Sequence, residues 1–271
     1  MVDYDWSAPP AVVAVSVLAL VLFAQAFVRL RRRGRTDHAG WGRAALFALA
    51  VGLALAVVVT PLDAVADDYL LSAHMLQHVV IGDLAPALAL LALRGPLTFF
   101  LLPAPVLSLL AGLRPLRAFL HWLTAPWVAF PLWIVSTWTW HVPKIYDYAA
   151  EHAVVHDFEH VSFVLVGTLA WNLLVDPARG RRLPVPGRVG LAVGLFVAAD
   201  PVMAALFSGG AVYPHYADQP VRLLDLSPHG DQVAAGAVML VEQAATLGTC
   251  VAVLLWPALK RGRLRDESVR L

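Results

Sequence analysis

Polar and apolar positions along this chain fall in long blocks. Apolar runs span Pro9–Leu30, Ala44–Pro61, His74–Leu93, Thr124–His141, Val154–Val175, Val189–Ser208 and Gln232–Leu259. Each approaches the roughly 20 residues that an α-helix needs to cross a bilayer. Backbone groups at that depth must be satisfied within the segment. The expected fold is therefore all-α, a polytopic membrane helix bundle of about seven transmembrane helices forming a single domain over residues 1–271. An eighth run, Leu97–Leu113, is long enough, but Pro103 and Pro105 interrupt its middle. Each proline removes a backbone donor and opposes helix continuity.

Charge placement settles how that run is read. Cytoplasmic loops collect Lys and Arg. The loop holding Arg29, Arg31, Arg32, Arg33, Arg35 and Arg43 is expected inside, which puts the N-terminus outside. The acidic loop with Asp63, Asp67 and Asp68 is then outside, and Arg94 inside. If Leu97–Leu113 crossed, Arg114, Arg117, the loop Arg179–Arg188 and the tail Lys260–Arg270 would all lie outside. If it is a broken re-entrant or interfacial segment, they return to the cytoplasm together with the C-terminus. The second arrangement is expected.

Composition agrees: 59% of residues are hydrophobic and 14% charged, against roughly a quarter charged in soluble domains. The net charge of +1 includes no basic stripe of the kind that binds nucleic acid, so membrane lipid is the expected environment. Cys250 stands alone, which excludes an internal disulfide or a thiol pair, and reads as a small buried thiol. Met1–Trp6 carries Asp3 and Asp5 and no basic residue, the wrong charge for a cleaved signal peptide, so the first run is expected to be retained. Trp127, Trp133, Trp138, Trp140, Trp171 and Trp256 fall in or near run ends, as interfacial anchors do.

The ten histidines divide unevenly on this topology. His38 and His121 fall inside; His74, His78, His141, His152, His156, His160, His215 and His229 fall at the outer side. His74 and His78 are four apart, so their imidazoles share a helix face about 6 Å apart along the axis. His152, His156 and His160 repeat that interval, with Glu159 alongside. One imidazole pair from each of two helices is a natural way to build a metal site in a bundle. Imidazole suits copper, zinc and iron alike. The plainer alternative is that interfacial histidines bond to water and headgroups. Asp231 either caps its own helix or accepts from an imidazole, and Met239 and Glu242 share its face. Asp83 and Asp200 lie within apolar runs, where carboxylates need a partner or a wet cavity. Met75 and Met203 are either thioether ligands for Cu(I) or packing residues.

The chain resembles the CtaG family of caa(3)-type cytochrome c oxidase assembly factors. The resemblance is carried in order by His74-Met-Leu-Gln-His78 with Ala85-Pro86 and Gly95-Pro96, then Trp140-His141-Val-Pro143 with Tyr146, and His152, His156 and Glu159-His160. Tyr213-Pro-His215-Tyr216-Ala217, Ser227-Pro228, Asp231-Gln232, Ala235-Gly236 and Met239 complete it. The sequence departs from the family pattern at Asp83 and Leu240. The resemblance implies a multi-pass protein of the bacterial plasma membrane that supplies or inserts copper for the oxidase at the outer face. Oxidase subunits or a copper donor protein are the implied partners. It implies no catalytic residues and a copper site drawn from His74, His78, His156 and His160, with His141, His152, His215 and Met239 as further candidates. Glu159, Asp231 and Glu242 would support the ligands. Two other functions fit the residues: a membrane zinc hydrolase acting on lipid with Asp83, Asp200 or Glu242 as base, and a b-type haem protein with axial histidine pairs.

Overall fold

The computed structural model describes residues 6–180 and 182–269. Asp3 and Asp5, which bear on the signal-peptide expectation, and Arg181 and Arg270, which bear on orientation, lie outside the described residues. The structure is 80% helical, with no strand among the described residues, and six to seven of its helices are long and apolar enough to cross a membrane.

In chain order the helices are α1 (Pro10–Arg32), α2 (Trp41–Val59), α3 (Leu62–Asp68), α4 (Leu71–Val79), α5 (Ala85–Leu93), α6 (Pro96–Phe100), α7 (Ala104–Gly112) and α8 (Arg114–Leu123). They continue with α9 (Pro126–Trp140), α10 (Pro143–Ala150), α11 (Ala153–Val175), α12 (Val185–Phe207), α13 (Pro214–Ala217) and α14 (Pro228–Val269). Proline opens α1, α6, α9, α10, α13 and α14, where its fixed φ suits a first helical residue and its missing N–H has no partner to lose.

The run 97–113 is divided between α6 and α7 with a break at 101–103. The nine residues of α7 rise only about 13 Å, under half a bilayer core. The 15-residue α9 is also short alone, and joins α8 across a 64° bend. α8 places Arg114, Arg117 and His121 among exposed Phe119, Leu120 and Trp122, the mixed composition of a helix lying in an interface.

Contacts between connections show how the ends are sorted. Arg43 donates to the Arg94 carbonyl, the Gly95 N–H to Pro177 (2.7 Å), and Arg182 to His121 (3.0 Å). The basic connections thus gather at one end of the bundle, opposite the end where α4 and α11 begin.

Those two spans are central. Half of the apolar window in Leu71–Leu93 and in Ala153–Val175 is buried, against 17% in Pro10–Arg32. The first is not one regular helix, as the run His74–Leu93 had suggested. Between α4 and α5, Val80–Leu84 forms a π-turn, with the Ala85 N–H reaching back to Val80. The cause is local: Pro86 has no N–H for the Gly82 carbonyl four residues back, and its ring crowds that carbonyl. The freed carbonyl faces Gly167 on α11 so closely that a Cβ there would lie 1.7 Å from the Gly82 oxygen. Glycine alone allows this crossing.

Gly167→Ala is therefore expected to destabilise the protein by about 1–3 kcal/mol, the range for overpacking a close contact. Gly248→Ala, where nothing lies within 4 Å, should not lower stability. Thermal unfolding of the two variants in detergent makes the comparison.

Candidate metal centre

Above the close crossing α4 and α11 stand apart, and four imidazoles meet in the space between their first turns. One ring nitrogen from each of His74, His78, His156 and His160 lies within 4.8 Å of all the others. Ring centroids are 4.3 Å apart for His74–His78, 4.2 Å for His156–His160, 5.0 Å for His74–His156 and 5.2 Å for His78–His160. Phe163 closes the floor beside His78 at 4.6 Å, and Tyr146 a wall beside His74 at 5.3 Å.

The hydrogen bonds dictate which nitrogen points inward. The Tyr216 hydroxyl donates to the Ala66 carbonyl (2.6 Å) and accepts from the Tyr146 hydroxyl (3.2 Å). Its proton being used, its oxygen must accept from His74 Nδ1, 2.7 Å away. His74 therefore carries its hydrogen on Nδ1 and turns a lone pair at Nε2 into the cluster. Burial pushes both phenols above their ordinary range, so they remain hydroxyl donors. His78 Nε2 sits 2.8 Å from His74 Nε2, and the hydrogen between them belongs to His78.

The remaining polar atoms of the centre are short of partners. His78 Nδ1, His156 Nε2, His160 Nε2 and Glu159 Oε1 are closed to solvent and have no hydrogen bond. Buried polar atoms are normally satisfied, so this group of orphans is what makes the cluster a candidate site. Glu159 is 1% exposed and places Oε1 3.6 Å from His78 Nε2. Asp67, at the end of α3, places Oδ1 3.8 Å from His156 Nε2. Burial, then the fields of Asp63, Asp68 and Asp157, push the Asp67 carboxyl up to about 7. A cation bound nearby would reverse that repulsion. Four nitrogens around a tetrahedral ion at about 2.0–2.1 Å stand about 3.4 Å apart, so shifts of about 1 Å would close the set.

The other candidate residues lie elsewhere. His141 bonds Nδ1 to Thr137 (2.7 Å), and its buried Nε2 is outside the converging group. His152 is exposed, stacked on Tyr148 and bonded to its carbonyl. His215 uses Nε2 on the Asp67 carbonyl at 2.8 Å. Met239 is packed with Leu71, Met75, Val79 and Met203 in the apolar core between α4, α12 and α14. Asp231 supports no imidazole: it accepts from the backbone N–H groups of Leu71 (2.7 Å) and Ser72 (3.1 Å), capping α4 from the start of α14. Glu242 and Asp83 meet deeper in the bundle, where Asp83 also accepts from Trp171. Asp200 is exposed on α12. Sequence reasoning missed Asp67 and the orienting role of Tyr216, and it expected Asp231 to cap its own helix where it caps α4. The spacing of Asp63 and Asp67, four apart ahead of the first histidine, was the available signal for the first.

Residues 21–261 match the family model described as cytochrome c oxidase caa3 assembly factor (Caa3_CtaG). Over 199 residues, 69% of the chain, the sequence is 31% identical to uncharacterized proteins of Mycobacterium bovis and Mycobacterium tuberculosis. It is 28% identical over 200 residues to one of Mycobacterium leprae. The matched part spans 29% of the length of each of these relatives. No solved structure matches.

Replacing Asp231 by alanine uncaps α4 directly above the histidines. A loss of about 1–2 kcal/mol is expected, as for other caps, measured by thermal unfolding against Asp231→Asn, which keeps one acceptor.

Proposed function

The chain belongs to the cytochrome c oxidase caa3 assembly factor family, and on that premise we propose that it holds a copper ion on its four-histidine cluster and passes it to the oxidase. The observation that carries this reading is the convergence of His74, His78, His156 and His160 within 4.8 Å at one end of two buried spans. Imidazole is a good ligand for copper in either common oxidation state. The set is held from behind: Tyr216 orients His74 and Glu159 stands beside His78. Such supporting contacts tune affinity without filling the coordination sphere. A carrier must also let go. The cover over the histidines is made of α3, α10 and α13, helices of 4 to 8 residues that do not cross the bundle.

In this reading the protein is a non-enzymatic copper carrier of the bacterial plasma membrane. Its histidine end faces outward, because the basic connections gather at the other end. The copper donor and the oxidase subunit that receives the ion dock at that outer end. The zinc-hydrolase reading draws on the same cluster, with Glu159 and Asp67 in place of the deeper carboxylates as bases. The haem reading has least support: rings with centroids 4.2–5.9 Å apart, against Phe163 and Tyr146, leave no slot for a porphyrin.

Copper bound after loading the purified protein with Cu(I) should drop from about one equivalent to background in a His74→Ala/His78→Ala variant. In cells lacking the protein, that variant should also fail to restore oxidase activity and oxidase copper. If it restores both, or the wild type binds zinc in preference to copper, the copper-carrier reading is lost. Tyr216→Phe removes the acceptor for His74 Nδ1 and should weaken copper binding by about 10–100-fold, measured by competition with a chromogenic Cu(I) chelator.

A further inference from the structure

The four-histidine cluster is closed from the membrane side by Phe163 and from the side by Tyr146, so an ion has to reach it through the short helices above. Asp67 is placed on that route. Its carbonyl is held by His215 Nε2 and the carbonyl before it, Ala66, by Tyr216, so α3 is fixed at two consecutive residues. The Asp67 carboxylate itself is not committed. Oδ1 has no hydrogen bond and faces the equally unpartnered His156 Nε2 at 3.8 Å. That gap is too long for a hydrogen bond. It suits two donors that share an ion, each about 2 Å from it, whose separation is at most about 4 Å.

Asp63, four residues earlier, differs. Both its oxygens are engaged, Oδ1 by Gln77 (2.8 Å) and Oδ2 by Ser7 (2.7 Å), which ties α3 to α4 and to the first residues of the chain. Burial then falls into a sequence. Side-chain exposure is 40% at Asp67, 14% at His156, 4% at His78 and 1% at Glu159. Donors thus succeed one another from solvent to interior, ending on a buried carboxylate with an unpartnered oxygen. Asp63, Asp68 and Asp157 surround the outermost donor with negative charge. Arg222, the basic residue near α13, is turned away and donates to the carbonyls of Tyr216 and Ala217.

We propose that Asp67 is the transit ligand of the centre: it captures a metal cation at the acidic rim and hands it to His156, from which it moves to the buried histidines. This rests on the reading of the four histidines as a metal site, and adds the route and its rate-setting residue. Asp67 is not a permanent ligand, so its loss should change how fast the site fills and leave how much it holds.

The test is stopped-flow loading of the purified full-length chain with Co(II), whose visible absorption reports tetrahedral nitrogen coordination. Asp67→Asn is expected to load about tenfold slower than wild type with the same final absorbance, because local fields raise cation on-rates by that order or more. Wild-type loading should slow as salt shortens the screening length, and Asp67→Asn should show a weaker dependence, with the fields of Asp63, Asp68 and Asp157 remaining. Asp67→Glu should recover the rate, and Asp68→Asn, at an exposed neighbour, should stay within about twofold of wild type. Loading of Asp67→Asn at the wild-type rate and salt dependence would overturn the transit role while leaving the histidine site standing. A lowered final absorbance in Asp67→Asn with an unchanged unfolding midpoint would make Asp67 a permanent ligand and overturn it equally. If the wild type binds neither Co(II) nor Cu(I), the metal-site reading fails first.

Discussion

The bundle is organised around a contact between two backbones: the carbonyl of Gly82, left without its helical donor by Pro86, against the bare α-carbon of Gly167. Two helices cannot come closer without losing atoms, and both sides of this contact have already lost them. The crossing also sets heights. His78 is four residues above it, about 6 Å along the axis, and His160 is seven, about 10 Å. His74 then stands near the level of His160, and His156 above both. The pairs interleave instead of meeting edge to edge, and four rings fit between two helices with centroids no more than 5.9 Å apart in the contacts they make.

The material around the centre divides by job. α4 and α11 supply every imidazole of the cluster, and both belong to spans whose apolar window is half buried. The residues that orient or cover the histidines come from short elements: Tyr146 on α10, Tyr216 on α13, Asp67 on α3. These are joined to the spans by side-chain bonds, such as Tyr216 to His74 (2.7 Å) and Asp63 to Gln77 (2.8 Å). A few such bonds are cheaper to break than a buried helix face. The geometry of the donors and access to them are therefore set by different parts of the chain.

Much of this was legible in the sequence because it depends on local spacing. The histidine pairs four residues apart predict a shared helix face, and the prolines that open helices mark their starts. What escaped depends on residues far apart in the chain. The α4 cap comes from Asp231, 160 residues after Leu71, and no reading of α4 alone can supply it. The π-turn needs Pro86 to free the carbonyl and Gly167 to receive it, and only the first was in view. Met239 shares a face with Asp231 as its spacing implies, but that face turns toward Leu71 and Met203, where the thioether fills apolar space between α4, α12 and α14. Asp67 was read as a loop charge that orients the chain; its meeting with His156 requires α3 to fold back over the bundle.

The widened turn has one further consequence. A π-turn carries an extra residue, so it resets the angular phase of the helix by roughly 100°. The reset lets Ala87 and Leu90 below the turn face α11, as His74 and His78 do above it; an unbroken helix would carry Ala87, nine residues on, round to the side opposite His78. One span contains two independent sequence registers, the upper setting where the imidazoles meet and the lower serving apolar packing. Substitutions accumulated in either half leave the compass bearing of the other untouched, whereas loss of one residue from Val80–Leu84 would turn the imidazole pair out of the bundle.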